Sequence, residues 1–283
     1  MEVAFATAGD EVGFRLGAYD PHYPLTIDPN YIWHTFYGSS SSDSGSGIAV
    51  DGSGNVYVTG TSNATWQGDN NADPIHPYSG EADIFVLKLG ATESPPLWEY
   101  PVPTENSQPY GITVDSDNDV WFTESKGNQI GRLTPASGGA ALSVRSTLAV
   151  TITEYPIPTP NSAPSDIVLG PDGNLWFTEY VGNKIGRITP AGAITEYPLP
   201  QTGSAPIAIT VGPDDNLWFC EEGGNRIGKM NTSGTLLAEY DVPTANSGLN
   251  DIVAGPDGAL WFRSTRGRRS AGSPPTGRSP STR

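Results

Sequence analysis

Three glutamates recur at the same point of a repeated phrase. Glu124 closes Trp121-Phe-Thr-Glu, Glu179 closes Trp176-Phe-Thr-Glu and Glu221 closes Trp218-Phe-Cys-Glu, at spacings of 55 and 42 residues. Carboxylate oxygens suit hard cations such as Mg or Ca. Glutamates at equivalent places of a repeated unit could converge on one face and hold such an ion. The competing reading is that they are solvated strand-end charges carried along by duplication. The Asp-rich stretch Asp115-Ser-Asp-Asn-Asp119 reads as an ordinary turn rather than a calcium loop. Paired carboxylates could also serve sugar hydrolysis, but no feature orients one Glu as the acid. Cys220 stands where the other copies carry Thr and reads as a small buried apolar side chain.

The elements that position these groups follow from the repeat itself. The Trp-Phe pair falls at Trp121, Trp176, Trp218 and Trp261, with spacings of 55, 42 and 43 residues, and Tyr100, Tyr155, Tyr197 and Tyr240 keep the same spacings. A period of about 40–45 residues containing several short strands marks a propeller blade. From Ser165 to Tyr197 the unit divides into four predicted strands. They are Asp166-Ile-Val-Leu169, Leu175-Trp-Phe-Thr-Glu179, Lys184-Ile-Gly-Arg-Ile188 and Ala193-Ile-Thr-Glu-Tyr197. Between them lie Gly-Pro-Asp-Gly, Gly-Asn and Pro-Ala-Gly turns, too tight for a helix. A weaker copy begins at Gly47. The segments Trp66–Tyr78 and Ala136–Ala149 read as insertions, the second accounting for the longer spacing. The fold class is therefore all-β: a β-propeller of four-stranded antiparallel blades, about five here.

Composition narrows the function. The 283 residues include 34 Gly and 26 Pro, as a turn-rich chain requires. One cysteine excludes an internal disulfide framework and a Cys-based zinc site. No apolar run approaches the roughly 18 residues of a membrane span, and the first residues lack the pattern of a signal peptide. Net charge is −16, but the last 21 residues hold six Arg and no acid, leaving −22 on residues 1–262. Such an acidic body repels nucleic acid. It suits a cationic ligand, or simply solubility.

The unit Ile-Thr-Glu-Tyr-Pro, Gly-Pro-Asp-Gly-Asn-Leu-Trp-Phe-Thr-Glu, Gly-Asn-Lys-Ile-Gly-Arg-Ile-Thr-Pro resembles the streptogramin B (virginiamycin B) lyase family over about Leu97 to Phe262. The earlier stretches Pro24-Leu-Thr-Ile-Asp-Pro29, Ser42-Asp43, Gly47-Ile-Ala-Val-Asp and Tyr57-Val-Thr-Gly60 are similar to the SBBP propeller repeats of bacterial surface and secreted proteins. The expected domains are a leader (1–30), an SBBP-like blade (31–96), lyase-like repeats (97–262) and an Arg/Ser/Pro tail without fixed structure (263–283).

The lyase resemblance implies a seven-bladed propeller and an Mg-assisted elimination that opens the ester ring of a cyclic depsipeptide antibiotic. That reaction needs a base α to a carbonyl and a cation for the developing enolate charge. In the family the base is a His just after the loop proline, and the strand-end Glu fourteen residues later binds the metal. The base position lies eleven residues before each Trp and here holds Tyr110, Ser165, Ile207 and Asn250, with Ser46 in the first blade. None is His. Two residues earlier, where the family has an acid, stand Gln108, Ala163, Ala205 and Gly248. The three histidines, His22, His34 and His76, lie outside the lyase-like part. A phenol titrates near pH ~10, so Tyr110 reads as a packing or rim residue. The expectation is a non-catalytic propeller scaffold, a surface or secreted module with a small-molecule or peptide-like ligand at its mouth. The alternative is an Mg-dependent lyase. The SBBP part implies a bacterial surface or secreted setting, the lyase part the cytoplasm.

After Phe262 the phrase breaks into Arg263-Ser-Thr-Arg-Gly-Arg-Arg. Ser270–Thr282 can be spelled in codons so that the frame one base upstream reads Ile-Gly-Arg-Ile-Thr-Pro-Asn-Gly-Ala-Ile-Thr-Glu-Tyr. That is Ile185–Tyr197 with one change, at Ala191. The expectation is a missing base just after Phe262, a last blade without outer strands, an incomplete ring and edge-to-edge self-association.

Overall fold

A computed structural model describes residues 3–8, 11–16, 43–62, 83–89, 97–134, 151–265 and 271–273. The two expected insertions, the three histidines and most of the Arg-rich tail lie outside these residues. The chain divides into two units, Met1–Thr35 and Phe36–Arg283. In the first, β1 (Val3–Ala8) and β2 (Glu11–Leu16) form an antiparallel hairpin, with Val3 opposite Leu16.

The second unit is a succession of antiparallel sheets. The first blade is β3 (Asp43–Val50), β4 (Val56–Ser62), β5 (Asp83–Leu89) and β6 (Leu97–Pro101). The second is β7 (Pro109–Val114), β8 (Val120–Glu124), β9 (Gln129–Thr134) and β10 (Thr151–Pro156). The third is β11 (Pro164–Leu169), β12 (Leu175–Glu179), β13 (Lys184–Ile188) and β14 (Ile194–Pro198). The fourth is β15 (Pro206–Val211), β16 (Leu217–Glu221), β17 (Arg226–Met230) and β18 (Leu236–Asp241). The fifth has three strands, β19 (Leu249–Ala254), β20 (Leu260–Ser264) and β21 (Ala271–Ser273). This is the predicted fold class, and the predicted strands of Ser165–Tyr197 match to within one or two residues. The tail differs from expectation at Ala271–Ser273, which pairs with β20.

The blades pack face to face through a repeated core. The second strand of each intact lyase-like blade is buried along its whole length. Its Trp packs against the following blade: Trp121 with Ile167 and Phe177, Trp176 with Ile209 and Phe219, Trp218 with Ile252 and Leu260. Tyr57 does the same from the first blade, against Ile112 and Phe122. Burying one such aromatic contributes roughly 1.5–3 kcal/mol. Within its own blade each Trp stacks on the outer-strand Tyr, at 5.8 Å for Trp121–Tyr155 and 5.4 Å for Trp176–Tyr197. A third-strand cation, Arg132, Arg187 or Lys229, lies over the indole. The indole N–H donates to a turn carboxylate, for example Trp121 Nε1 to Asp115 at 2.7 Å. The Asp-rich turn is thus an Asx turn that also tethers the Trp, because Asp115 accepts from the Asp117 and Asp119 amides as well.

Close approach requires glycine at one position of the third strand. The Phe177 ring lies flat on Gly186, where an added Cβ would sit 2.1 Å from Cζ. Gly131 under Phe122 and Gly228 under Phe219 repeat the arrangement.

Candidate functional site

The chain crosses from the outer strand of one blade to the inner strand of the next at one end of the sheets. The sequence builds that end the same way each time. Asn128, Asn183 and Asn225 close the turn between second and third strands with φ of 54–56°, a conformation Asn tolerates. Each clamps the crossing segment: Asn128 donates to the Ile157 and Thr159 carbonyls and accepts from Ser162 N at 2.6 Å and Ser162 Oγ at 2.9 Å. The inner strand then starts on a left-handed residue, Gln108, Ala163, Ala205 or Gly248, with φ of 49–66°. A register shift follows at once in β7, β11, β15 and β19. Such bulges re-aim side chains and gather near functional sites.

Tyr110, Ser165, Ile207 and Asn250 sit on these bulges. Tyr110 is about half exposed, at 48%, whereas Ser165 is buried. Asn250 Oδ1 accepts from Arg263 Nε at 3.0 Å. Asp166, next to Ser165, accepts from the Ile167 and Ile209 amides at 2.9 Å. Burial pushes its carboxyl up to about 6 against those bonds, and the Asp251 charge adds to the rise.

Glu124, Glu179 and Glu221 end the second strands beneath the crossing segments, and all three are fully buried. Each faces its own blade. Glu124 lies by Ser107 and Glu154, and neither of its oxygens has a hydrogen-bond partner. Glu154 is itself occupied by Thr104, through N at 2.8 Å and Oγ1 at 2.9 Å. Glu179 lies by Ser162 and Glu196, while Lys184 bonds Glu196 at 3.2 Å. Glu221 is paired directly with Arg226 at 2.9 Å. The third-strand neighbour thus changes from Gln129 to Lys184 to Arg226, and charge compensation of the glutamate rises with it. Burial, and next the Glu154 and Glu196 carboxylates, push Glu124 and Glu179 up to about 8.

The magnesium implied by the resemblance needs several oxygens turned toward one point. Each of the three glutamates lies against neighbours of its own blade. Among the described residues no group of three or more His, Cys, Asp or Glu is placed to hold a metal.

One feature of this end departs from the repeat. Tyr180 and Val181, at the tip after β12, are 36% and 65% exposed. The Tyr180 hydroxyl donates to Glu222 of the next blade at 2.8 Å. The signal was present in the sequence: the equivalent positions elsewhere are Ser125-Lys126 and Glu222-Gly223, so an exposed aromatic and aliphatic pair is a departure from the repeat. Cys220 is buried as expected, but it also donates weakly to the Asp251 carbonyl at 3.5 Å. Burial raises its thiol far above the ordinary range, which disfavours the thiolate.

Four-stranded antiparallel blades packed in succession, with inner-strand starts gathered at one end, define a β-propeller protein. Residues 140–271 match the virginiamycin B lyase family and residues 32–65 match a β-propeller repeat. The structure is similar to that of virginiamycin B lyase from Staphylococcus aureus, 34% identical, with TM-score 0.58, covering 78% of this chain and 77% of that one. It is also similar to the catalytically inactive histidine-to-alanine variant of that lyase with quinupristin, 30% identical, with TM-score 0.59, covering 84% and 87%. A curated virginiamycin B lyase from Bacillus licheniformis is 58% identical over 38 residues, which span only 13% of either chain. The chain belongs to the virginiamycin B lyase family.

Proposed function

We propose that this chain is a non-catalytic member of the family, a propeller scaffold that holds a small or peptide-like ligand at its crossing end. The observation that carries this reading is the pairing of a retained backbone with absent chemistry. The left-handed residue and bulge persist in the four blades from β7 onward, yet the base position holds Tyr110, Ser165, Ile207 and Asn250. Asn and Ile have no basic group, and a serine hydroxyl needs a base of its own to lose its proton. No histidine lies among the described residues. In the relative, replacing one histidine gives a catalytically inactive protein that still carries quinupristin in its crystal structure. Binding without turnover is therefore a state this fold supports. Exposed Tyr110, Tyr180 and Val181 supply apolar contact at the crossing end.

The second reading is an Mg-dependent lyase linearising a cyclic depsipeptide. It is favoured by family membership and by the retained Glu124, Glu179 and Glu221. Incubating the purified chain with quinupristin and MgCl₂, with mass spectrometry of the products, separates the two. Intact quinupristin after prolonged incubation, together with a tryptophan-fluorescence change on its addition, is the expected result. Accumulation of linear product refutes the non-catalytic reading.

A further inference from the structure

The faces that join successive blades recur at both ends of the series, and there they are uncovered. Ile48 on β3 occupies the position of Ile112, Ile167, Ile209 and Ile252. Those four are between 3% and 9% exposed because the aromatic of the preceding blade lies on each. Ile48 is 70% exposed, and Val50 on the same strand is 58% exposed. At the other end, Trp261 occupies the position of Trp121, Trp176 and Trp218, which are at most 4% exposed. Trp261 is 39% exposed, and Val253 on the neighbouring strand is 56% exposed. The exposed isoleucine surface is thus of the kind that receives a Trp everywhere else in the chain. The exposed Trp surface is of the kind that covers an isoleucine.

We propose that these two faces bind each other between copies of this chain, the β19–β20 face of one copy seating on the β3 face of the next. The occupant follows from continuity with an interface the chain already makes four times. Its chemistry is apolar on both sides, with an aromatic on one and β-branched residues on the other, as at every internal junction. The contact is heterologous: different surfaces meet, so assembly is head to tail and closes into a ring or extends in series. This differs from pairing of strand edges, because the surfaces involved are blade faces and no new strand ladder is formed.

One position departs from the internal junctions. Thr59, Thr123, Thr178 and Cys220 each donate from the second strand to an inner-strand carbonyl of the next blade. The last blade places Arg263 there, exposed and turned to Asn250. A guanidinium has the donors for such a carbonyl, but seating it costs more desolvation than seating a hydroxyl. The junction between copies is therefore weaker than the internal ones, and Arg263→Thr strengthens it.

The test uses the full chain and two surface variants, Ile48→Glu and Trp261→Glu. Both side chains are already exposed, so neither change opens the core, and circular dichroism verifies the folded state. Sedimentation velocity across a concentration series is expected to show wild type in species larger than one protomer. Each variant alone is expected as a monomer. Mixing the two is expected to give a 1:1 dimer, because each retains the face that the other has lost, and Arg263→Thr shifts wild-type assembly to lower concentration. A wild type that stays monomeric throughout overturns the proposal. So does assembly that persists in either variant alone, or a mixture that fails to pair.

Discussion

The Thr123 hydroxyl donates to the Ser165 carbonyl at 2.6 Å, across the boundary between the second and third blades, while accepting from its own Gly111 amide at 2.9 Å. Thr178 repeats the relay between the Asp166 amide and the Ile207 carbonyl. Ser165 and Ile207, at two of the base positions implied by the resemblance, are therefore held by their backbone, whatever side chain they carry.

Thr123→Val removes both bonds at nearly constant volume. It leaves a buried N–H and a buried C=O without partners, at about 1–3 kcal/mol for such a loss. Urea denaturation should show the midpoint falling with an unchanged slope. Cys220→Thr should move it the other way, by up to about 0.5–1.5 kcal/mol, as a hydroxyl replaces the weak thiol donor to the Asp251 carbonyl. An unchanged midpoint in both variants would mean that the relay contributes nothing to stability.

Gly186→Ala drives a methyl group into the Phe177 ring, whose Cζ, Cε2 and Cε1 would lie 2.1, 2.2 and 2.7 Å from it. Overpacking of this kind costs about 1–3 kcal/mol. The loss should appear as a lower melting temperature. A control is Gly173→Ala, where the added Cβ meets nothing within 4 Å and the cost comes from its φ of +74° alone.

Ala163 and Ala205 hold φ of 50° and 49° where the last blade has Gly248. A left-handed alanine costs roughly 1–2 kcal/mol, partly offset by the roughly 0.5–1 kcal/mol entropic penalty of glycine. Ala205→Gly should therefore stabilise the fold by about 0.5 kcal/mol, read as a small rise in melting temperature. A fall would show that the methyl group is itself packed.

Stability should decline as pH rises from near 5 to near 8.5. Burial, and then Glu154 and Glu196, raise Glu124 and Glu179 from an ordinary value of 4.5 to about 8. Below the ordinary value both states are protonated. Between it and about 8 the folded chain keeps a proton that the unfolded chain has released, so folding weakens, and above 8 the loss is complete. Melting temperatures taken across this window for wild type and for Glu124→Gln check it. The variant should show the shallower decline, and equal slopes would assign the pH dependence elsewhere.

Much of the fold was legible because the repeat makes each blade predict the next. The third blade, Pro164–Pro198, shows this best: turn residues, aromatic second strand and alternating third strand all appear in its sequence. The tail was less legible. Its own residues give no reason for a strand, yet β21 places Ala271 opposite Phe262, Gly272 opposite Trp261 and Ser273 opposite Leu260. That is the register of Gly186, Arg187 and Ile188 against Phe177, Trp176 and Leu175. It is also the register that the neighbouring reading frame would fill with Gly, Arg and Ile. Genomic sequencing after Phe262 tests that reading directly.

The sequence alone determined the blade, because its period, turn residues and buried aromatics are local signals that survive duplication. It also determined that no copy carries a histidine at the base position. Only the tertiary structure decided where the repeated glutamates point, because the direction of a strand-end side chain depends on what covers it. The crossing segments seal Glu124, Glu179 and Glu221 into separate blades, and the depth of that burial, which spacing does not encode, governs their chemistry.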